Sequence, residues 1–347
     1  MKIKIGKKSV GCGNPCFVIA EAGVNHNGDI KLAKRLVDVA KDAGADAVKF
    51  QTFRTQDLVA RNTKAAFYQK KTTPGLKTQN QILQALELGY DDFVELKRYC
   101  DKKQIIFLST AHTQDAVDLL DSLVCAYKIA SGDLTNLPFL EAIAKRQKTM
   151  ILSTGMSTLQ EVRQAVDCIT KKHNRNIVLL HCTTNYPCPL EEVNLRAMQT
   201  LRKEFNLPVG YSDHTLGLLI PSIAVGLGAA IIEKHFTLDK NSAGPDHKAS
   251  LNPGELKIMV RSIRDTEKAL GSAMKIPSDS EKKIMKLVRK SLVAAADIHK
   301  GSKIKEGDIF IKRPGSGIQP KDIKRIIGKK ALKDIKKDEL LAWSLIK

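Results

Sequence analysis

The sequence predicts an α/β chain built on a (β/α)8 TIM barrel, with enough residues left for a smaller domain after it. Three observations predict this. Eight short β-rich runs recur through the first 240 residues. Stretches with apolar residues at helical spacing lie between most of them. Each run stays apolar until its carboxyl end and then turns polar.

In order, the runs are CFVIAE (16–21), DAVKFQT (46–52), IIFLST (105–110), CAYKIAS (125–131), TMILST (149–154), NIVLLHC (176–182), PVGYS (208–212) and AAIIEKH (229–235). The helical stretches include 30–44, which ends on a glycine stop, then 113–123, 157–169 and 216–228. Thr113 and Ser157 are placed as N-caps. A doubly wound open sheet is the alternative fold. It usually brings a glycine-rich first βα turn, and 21-EAGVNHNGD-29 lacks G-x-G-x-x-G. After the eighth run, 271-GSAMKIPSDSEKK-283 reads as a polar linker rich in small residues.

Composition narrows the function. The chain has 347 residues, 43% of them hydrophobic, enough for one large core and a small second one. No apolar run approaches a membrane span, and 1-MKIKIGKKSV-10 lacks the apolar stretch of a secretory signal. The expectation is a cytoplasmic protein with no membrane partner. Seven cysteines, an odd number without a C-x-x-C pair, point to reduced thiols. Cys182 is open to two readings, a packing residue or a neighbour of a site. The net charge is +20, over half of it beyond Gly271. The lysines are dispersed and aromatics are only 5%, so a basic surface suited to anionic substrates is expected, with no nucleic acid partner.

The run ends carry the chemistry. They hold Glu21; Lys49 and Gln51; Ser109 and Thr110; Lys128 and Ser131; Ser153 and Thr154; His181 and Thr183; Ser212 and His214; Glu233 and His235. In a barrel these ends meet at one face, where barrel active sites lie. His214 and His235 then sit on neighbouring strands and can reach one divalent ion such as Mn²⁺, Co²⁺, Fe²⁺ or Zn²⁺. Two protein ligands leave positions for substrate oxygens, a Lewis-acid arrangement. Asp213 and Glu233 can assist or orient from behind. Lys49 and Lys128, with Thr110, Ser131 and Ser153, make an anion cradle, and Gly132 and Gly155 let backbone amides approach a phosphate. Either lysine could instead form a Schiff base. Glu21 is a carboxylate for proton work or an ion-pair partner of Lys49. These residues describe a metal-assisted barrel enzyme joining or cleaving a carbonyl compound and a phosphate-bearing partner.

The segments 20-AEAGVNHNGD-29, 48-VKFQT-52, 127-YKIASGD-133, 152-LSTGM-156, 180-LHCTTNYP-187, 210-GYSDHT-215, 233-EKHFTLDK-240 and 244-GPDHKAS-250 together resemble the bacterial sialic acid synthase family. Residues 290–320 resemble the antifreeze-like SAF domain that follows the barrel there. The resemblance implies a barrel domain over 1–270, a linker over 271–289 and a SAF domain over 290–347. It implies condensation of phosphoenolpyruvate with an N-acylated amino sugar and water to give a nine-carbon 2-keto acid and phosphate. It assigns His214 and His235 to the metal, Mn²⁺ first, with Mg²⁺ or Co²⁺ as alternatives. Lys49, Thr110, Lys128, Ser131, Ser153, Thr184 and Ser212 match phosphoenolpyruvate-binding positions. Glu21, Gln51, Asp133, Tyr186 and Asp246 match positions facing the sugar; Glu21, Lys49 and Gln51 are the catalytic candidates. The resemblance also implies a homodimer whose swapped SAF domains each cap the partner's barrel, with Arg313 on the sugar's N-acyl group; taken alone, Arg313 reads as surface charge.

Three positions depart from the family's pattern. His112, in 109-STAH-112, stands where many relatives read Ser-Thr-Pro-Phe. Thr184 and Asp133 stand where sialic acid enzymes often have Asn and Glu. Among sialic, legionaminic and pseudaminic products, 68-YQKKTT-73 and 241-NSAGPDHKASL-251 look like the legionaminic and broader sialic branch. N-acetylneuraminate or N,N'-diacetyllegionaminate is therefore the expected product. Pseudaminic acid synthesis and a Schiff-base aldolase are the alternatives.

Overall fold

A computed structural model describes residues 2–60, 63–64 and 78–347, so the 68–73 stretch lies outside the described residues. Eight parallel strands close into a barrel: β3 (Phe17–Gly23), β4 (Ala47–Thr52), β5 (Ile106–Ala111), β6 (Ala126–Ile129), β7 (Thr149–Ser153), β8 (Ile177–His181), β9 (Val209–Asp213) and β10 (Ile231–His235), which pairs back onto β3. Their registers align the polar ends. His235 pairs with Glu21, Glu21 with Lys49, Gln51 with Thr110, and Thr110 with Lys128. The fourth run is cut short, because Ser131 already opens a 3-10 turn.

Helices fill the crossovers with the expected caps, apart from one. Thr113 accepts from the Ala116 amide at 3.3 Å and starts the helix Gln114–Asp121. The next predicted cap is corrected from Ser157 to Thr158. Thr158 is three residues from Glu161 and closes a reciprocal capping box ahead of Leu159–Thr170, whereas the Ser157 hydroxyl donates back to the Gly155 carbonyl. The 216–228 stretch is helical only over Leu219–Gly226.

A hairpin that no sequence pattern announced precedes the barrel. It pairs β1 (Lys2–Ile5) with β2 (Lys8–Gly11). Ile3, Ile5 and Val10 pack with the inward residues at the amino-terminal end of the barrel, Phe17, Ile19, Leu108 and Ile151 among them. The Thr149 hydroxyl donates to the Lys4 carbonyl at 2.7 Å. The hairpin thus stoppers one end of the barrel and leaves the other for chemistry.

The chain divides into two compact units after Gly271. The second unit holds an antiparallel pair, β11 (Ser291–Ala294) and β12 (Ile309–Lys312), over its own core of Leu292, Ile304, Ile326, Ile335 and Leu341. The segment expected to be a polar linker is partly helix, Asp279–Val288, begun by a capping box between Ser278 and Glu281. Among the described residues no helix is long and apolar enough to cross a membrane.

Candidate active site

Side chains along a strand alternate between the two faces of a sheet, so in a barrel every second residue points inward. From Phe17 and Ile19 that parity leads to Glu21. It leads equally to Lys49 and Gln51, Thr110, Lys128, Ser153, Cys182, Ser212 and His214, and Glu233 and His235. All of these line one cavity of about 250 Å³. Ser131, Thr184, Tyr186 and Asp246 join it from the loops that follow the strands.

The same parity removes four residues expected at the mouth. Ser109 and Thr52 face the helix layer and hydrogen-bond each other at 2.7 Å. The Thr154 hydroxyl donates to the Leu180 carbonyl. His181 Nε2 lies 2.8 Å from the Val193 carbonyl, and the Thr183 hydroxyl donates to the Glu192 carbonyl. None of the four lines the cavity. Cys182 and Glu233, left open or given a supporting role by the sequence, are inward residues of the cavity itself. Counting parity from each apolar run would have found both.

Four buried charges form the floor. Lys49 Nζ lies 2.8 Å from Glu21 Oε2 and 3.7 Å from Glu233 Oε2, and it donates to the Thr110 hydroxyl at 2.8 Å. Lys128 Nζ lies 3.5 Å from Glu233 Oε1, which also accepts from the Ser212 hydroxyl at 2.8 Å. The two carboxylates are driven apart. Burial pushes Glu21 up, to about 7, against the pull of Lys49. Burial alone would raise Glu233 too, but Lys128, Lys49 and the Ser212 hydroxyl outweigh it and hold the group at about 2. Burial lowers Lys128, whereas for Lys49 the two carboxylates outweigh burial and raise it. Glu21 is thus both the ion-pair partner of Lys49 and a carboxyl poised for proton transfer near neutrality. Gln51 Nε2 donates to its other oxygen at 3.2 Å.

On one side of this floor a small-residue corner is drawn tight. The Gly155 amide donates to Ser131 Oγ at 3.1 Å, and that hydroxyl lies 3.2 Å from Cys182 Sγ. A Cβ on residue 155 would fall 2.4 Å from Thr184 Oγ1 and 2.8 Å from Ser131 Oγ, so only glycine fits. Ser153 Oγ is buried nearby with no hydrogen-bond partner among the described residues, which leaves it for a ligand oxygen.

On the other side stand the histidines, their ring centroids 5.7 Å apart, with Tyr186 packed 4.1 Å from His214 and edge-on to His235 at 5.5 Å. His214 Nδ1 donates to the Thr183 carbonyl at 2.7 Å, which turns Nε2, 3.0 Å from the Tyr186 hydroxyl, into the acceptor nitrogen. His235 Nδ1 is buried without a hydrogen bond, 3.8 Å from Asp246 Oδ2. Burial lowers both imidazoles, His235 well below its usual value, so both rings are neutral and able to ligate. Burial also raises Asp246, to about 6. No set of three His, Cys, Asp or Glu side chains among the described residues forms a metal cage. The residues present therefore fit an ion held by two imidazoles whose remaining positions go to substrate oxygens and water. Outward of the rings, Asp213 and Lys234 form a buried pair at matched positions of β9 and β10. Asp213 also accepts from the Thr215 amide, and Lys234 donates to the Thr215 carbonyl, so the pair fixes the backbone on either side of His214.

His112 lines the cavity, with its Nδ1 3.6 Å from Asp133 Oδ2 and its ring edge-on to Phe53. Asp133 is not itself among the lining residues. Gly132 is, and nothing crowds it. Arg313 follows β12 in the second unit and is exposed.

Comparison with known proteins adds four findings. Residues 36–275 match the NeuB family and residues 289–347 the SAF domain. The chain is 49% identical to an N,N'-diacetyllegionaminic acid synthase of Legionella pneumophila, covering 98% of this chain and 97% of that one. It is 51% identical to a protein of the same name from Campylobacter jejuni, covering 94% and 98%. It superposes on the crystal structure of an N-acetylneuraminic acid synthetase from Leptospira borgpetersenii with a TM-score of 0.74 and 37% identity, over 82% of this chain and 94% of that one.

Proposed function

Because the chain belongs to the NeuB family, we propose that it condenses phosphoenolpyruvate with an N-acylated amino sugar and water, giving a nonulosonic acid and phosphate. The observation that carries this is identity near one half, over almost the whole chain, to two N,N'-diacetyllegionaminic acid synthases. The favoured sugar is accordingly 2,4-diacetamido-2,4,6-trideoxymannose, ahead of N-acetylmannosamine. The alternatives are not favoured. Lys49 and Lys128, the Schiff-base candidates, are committed to Glu21 and Glu233, and the half-identical relatives are not pseudaminic acid enzymes.

In this reading Lys49, Lys128, Thr110, Ser131, Ser153, Thr184 and Ser212 hold phosphoenolpyruvate. Glu21 relieves the charge balance, because protonating it leaves two lysines against one ionised carboxylate, a net positive floor for an anion. C3 of the enol attacks the aldehyde carbon of the open-chain sugar and forms the new carbon–carbon bond. The aldehyde oxygen gains a proton as C2 becomes electron-poor. Water adds to C2 and releases a proton. The C2–O bond to phosphate then breaks, the C2 hydroxyl gives its proton to the departing phosphate, and the ketone forms. Glu21, titrating near neutrality and anchored by Gln51, is the group placed to carry protons between water and the sugar oxygen. Tyr186, Asp246 and Gln51 orient the sugar, with Asp133 acting through His112. His214 and His235 would hold the divalent ion, Mn²⁺ first, and the ion supplies Lewis-acid polarisation of the aldehyde. The reading includes a homodimer in which each SAF domain caps the partner's barrel and Arg313 contacts the sugar's amide. Mixing Arg313→Ala with His214→Ala enzyme should restore activity in mixed dimers, and mixed dimers that stay inactive would remove that part.

The test is direct. Purified protein, Mn²⁺ and phosphoenolpyruvate are incubated with each of the two sugars, and phosphate and nonulosonic acid are measured together. Equal amounts of both products, lost on chelation and restored by Mn²⁺, are expected. Absence of phosphate release with either sugar contradicts the proposal.

A further inference from the structure

The cavity has one face that the reaction does not use. Val24, just past β3, and Ile82, Leu83 and Leu86, from the helix Gln79–Gln84 and the turn after it, line the cavity with aliphatic carbon. Val24, Ile82 and Leu86 are buried together with Phe53 in a packed cluster distinct from the barrel core, and Leu83 and Leu58 lean on it partly exposed. A wall of this kind removes water from whatever lies against it. A methyl group there gains from burial, while a hydroxyl loses its water and finds no partner.

The reacting end of the cavity fixes which part of the sugar meets this wall. The aldehyde carbon must approach the floor of Lys49, Lys128 and the two histidines, so the other end of the six-carbon chain points away from it, toward the loops that carry the wall. There the two candidate sugars differ. N-acetylmannosamine presents hydroxyls at C4 and C6. The 2,4-diacetamido-2,4,6-trideoxy sugar presents an acetyl methyl and a C6 methyl.

We propose that the aliphatic wall of Val24, Ile82, Leu83 and Leu86 is the specificity element of this site, selecting an amino sugar deoxygenated at C6 and acylated at C4 over its hydroxylated counterpart. This rests on the reading of the cavity as a sugar-condensing site. One or two methyl groups in an apolar pocket are worth roughly 10–200-fold in kcat/KM, which sets the preference of the unaltered enzyme.

The experiment measures kcat/KM for both sugars, and KM for phosphoenolpyruvate, in the wild type, in Leu83→Gln and in Val24→Thr. Leu83→Gln keeps a good helix former at a partly exposed position. Val24→Thr keeps the shape and adds a hydroxyl to the wall, so at least one variant retains the fold. The expected result is a wild-type preference for the diacetamido sugar that drops at least about tenfold in each folded variant, with KM for phosphoenolpyruvate unchanged. An unchanged ratio, or a parallel loss for both sugars, overturns the proposal, because a packing role lowers both alike. A wild type that prefers N-acetylmannosamine overturns the wall while leaving the condensing reading intact. A wild type that uses neither sugar overturns the condensing reading itself.

Discussion

At the amino-terminal end of the barrel the inward side chains are Phe17, Ile19, Leu108, Ile151, Leu180 and Ile231, packed against the hairpin residues Ile3, Ile5 and Val10. Two residues further along the same strands, the inward side chains are Glu21, Thr110, Ser153, Cys182 and Glu233. Backbone, alternation and burial are shared by the two ends. What changes is what the side chains can satisfy. The stoppered end completes itself with carbon. The open end carries two acid–lysine pairs, a serine hydroxyl and an imidazole nitrogen that stay incompletely paired among the described residues. Buried polar groups left in that state are costly unless a ligand completes them. The lower half of each strand thus serves stability and the upper half serves binding.

The largest expected effect lies at the open end. Glu21→Gln keeps the shape and removes the titrating group, so kcat/KM should fall by roughly 10²–10⁴-fold. Its stability should shift the other way with pH. A carboxyl raised from 4.5 to about 7 on folding contributes fully below 4.5 and loses that contribution as pH rises through about 7. Denaturant midpoints should therefore move in favour of Glu21→Gln over this interval. A difference that is flat with pH would mean that Glu21 is an ordinary ion-pair carboxylate, and the contrast between the ends would weaken. Lys49→Met, read above neutral pH, should destabilise by about 3–5 kcal/mol, because it leaves buried carboxylates without their cation, and should abolish turnover. An unchanged unfolding midpoint would contradict it.

At the stoppered end the signs separate. Ile151→Ala should cost about 2–5 kcal/mol of stability through the cavity it leaves. Its kcat/KM, measured where the protein is folded, should remain within about twofold; loss of activity beyond the unfolded fraction would break the division of labour. The smallest effect is at the hairpin. Thr149→Val deletes one hydrogen bond to the Lys4 carbonyl and should cost about 1 kcal/mol, seen as a small shift in the thermal midpoint with activity unaltered.

Much of this was legible because a barrel strand writes its whole role into four to seven residues. Each of the eight runs overlaps its strand, and the polar ends named the mouth. The errors have physical causes. Ser109, Thr154, His181 and Thr183 are polar strand-end residues of the wrong parity, so Ser109 pairs with Thr52 and the other three bond backbone carbonyls. Cys182 and Glu233 have the right parity but looked like packing and support. The hairpin hid because Ile3, Ile5 and Val10 are spread among four lysines and two glycine-bearing turns, with no continuous apolar run. The 279–288 helix hid because its polar sequence reads as linker, although Ser278 and Glu281 spell a capping box. The aliphatic wall has no motif at all, since Val24 and Ile82 meet only when the helix Gln79–Gln84 packs against the turn after β3.

In the proposed reaction the open end joins phosphoenolpyruvate to a sugar through C3, and water adds at C2. Running the reaction in heavy-oxygen water and weighing the released phosphate tests it most directly. Unlabelled phosphate is expected, because the bond that breaks is C2–O. Phosphate carrying one solvent oxygen would mean that water attacks phosphorus, and that the charged floor serves a different reaction.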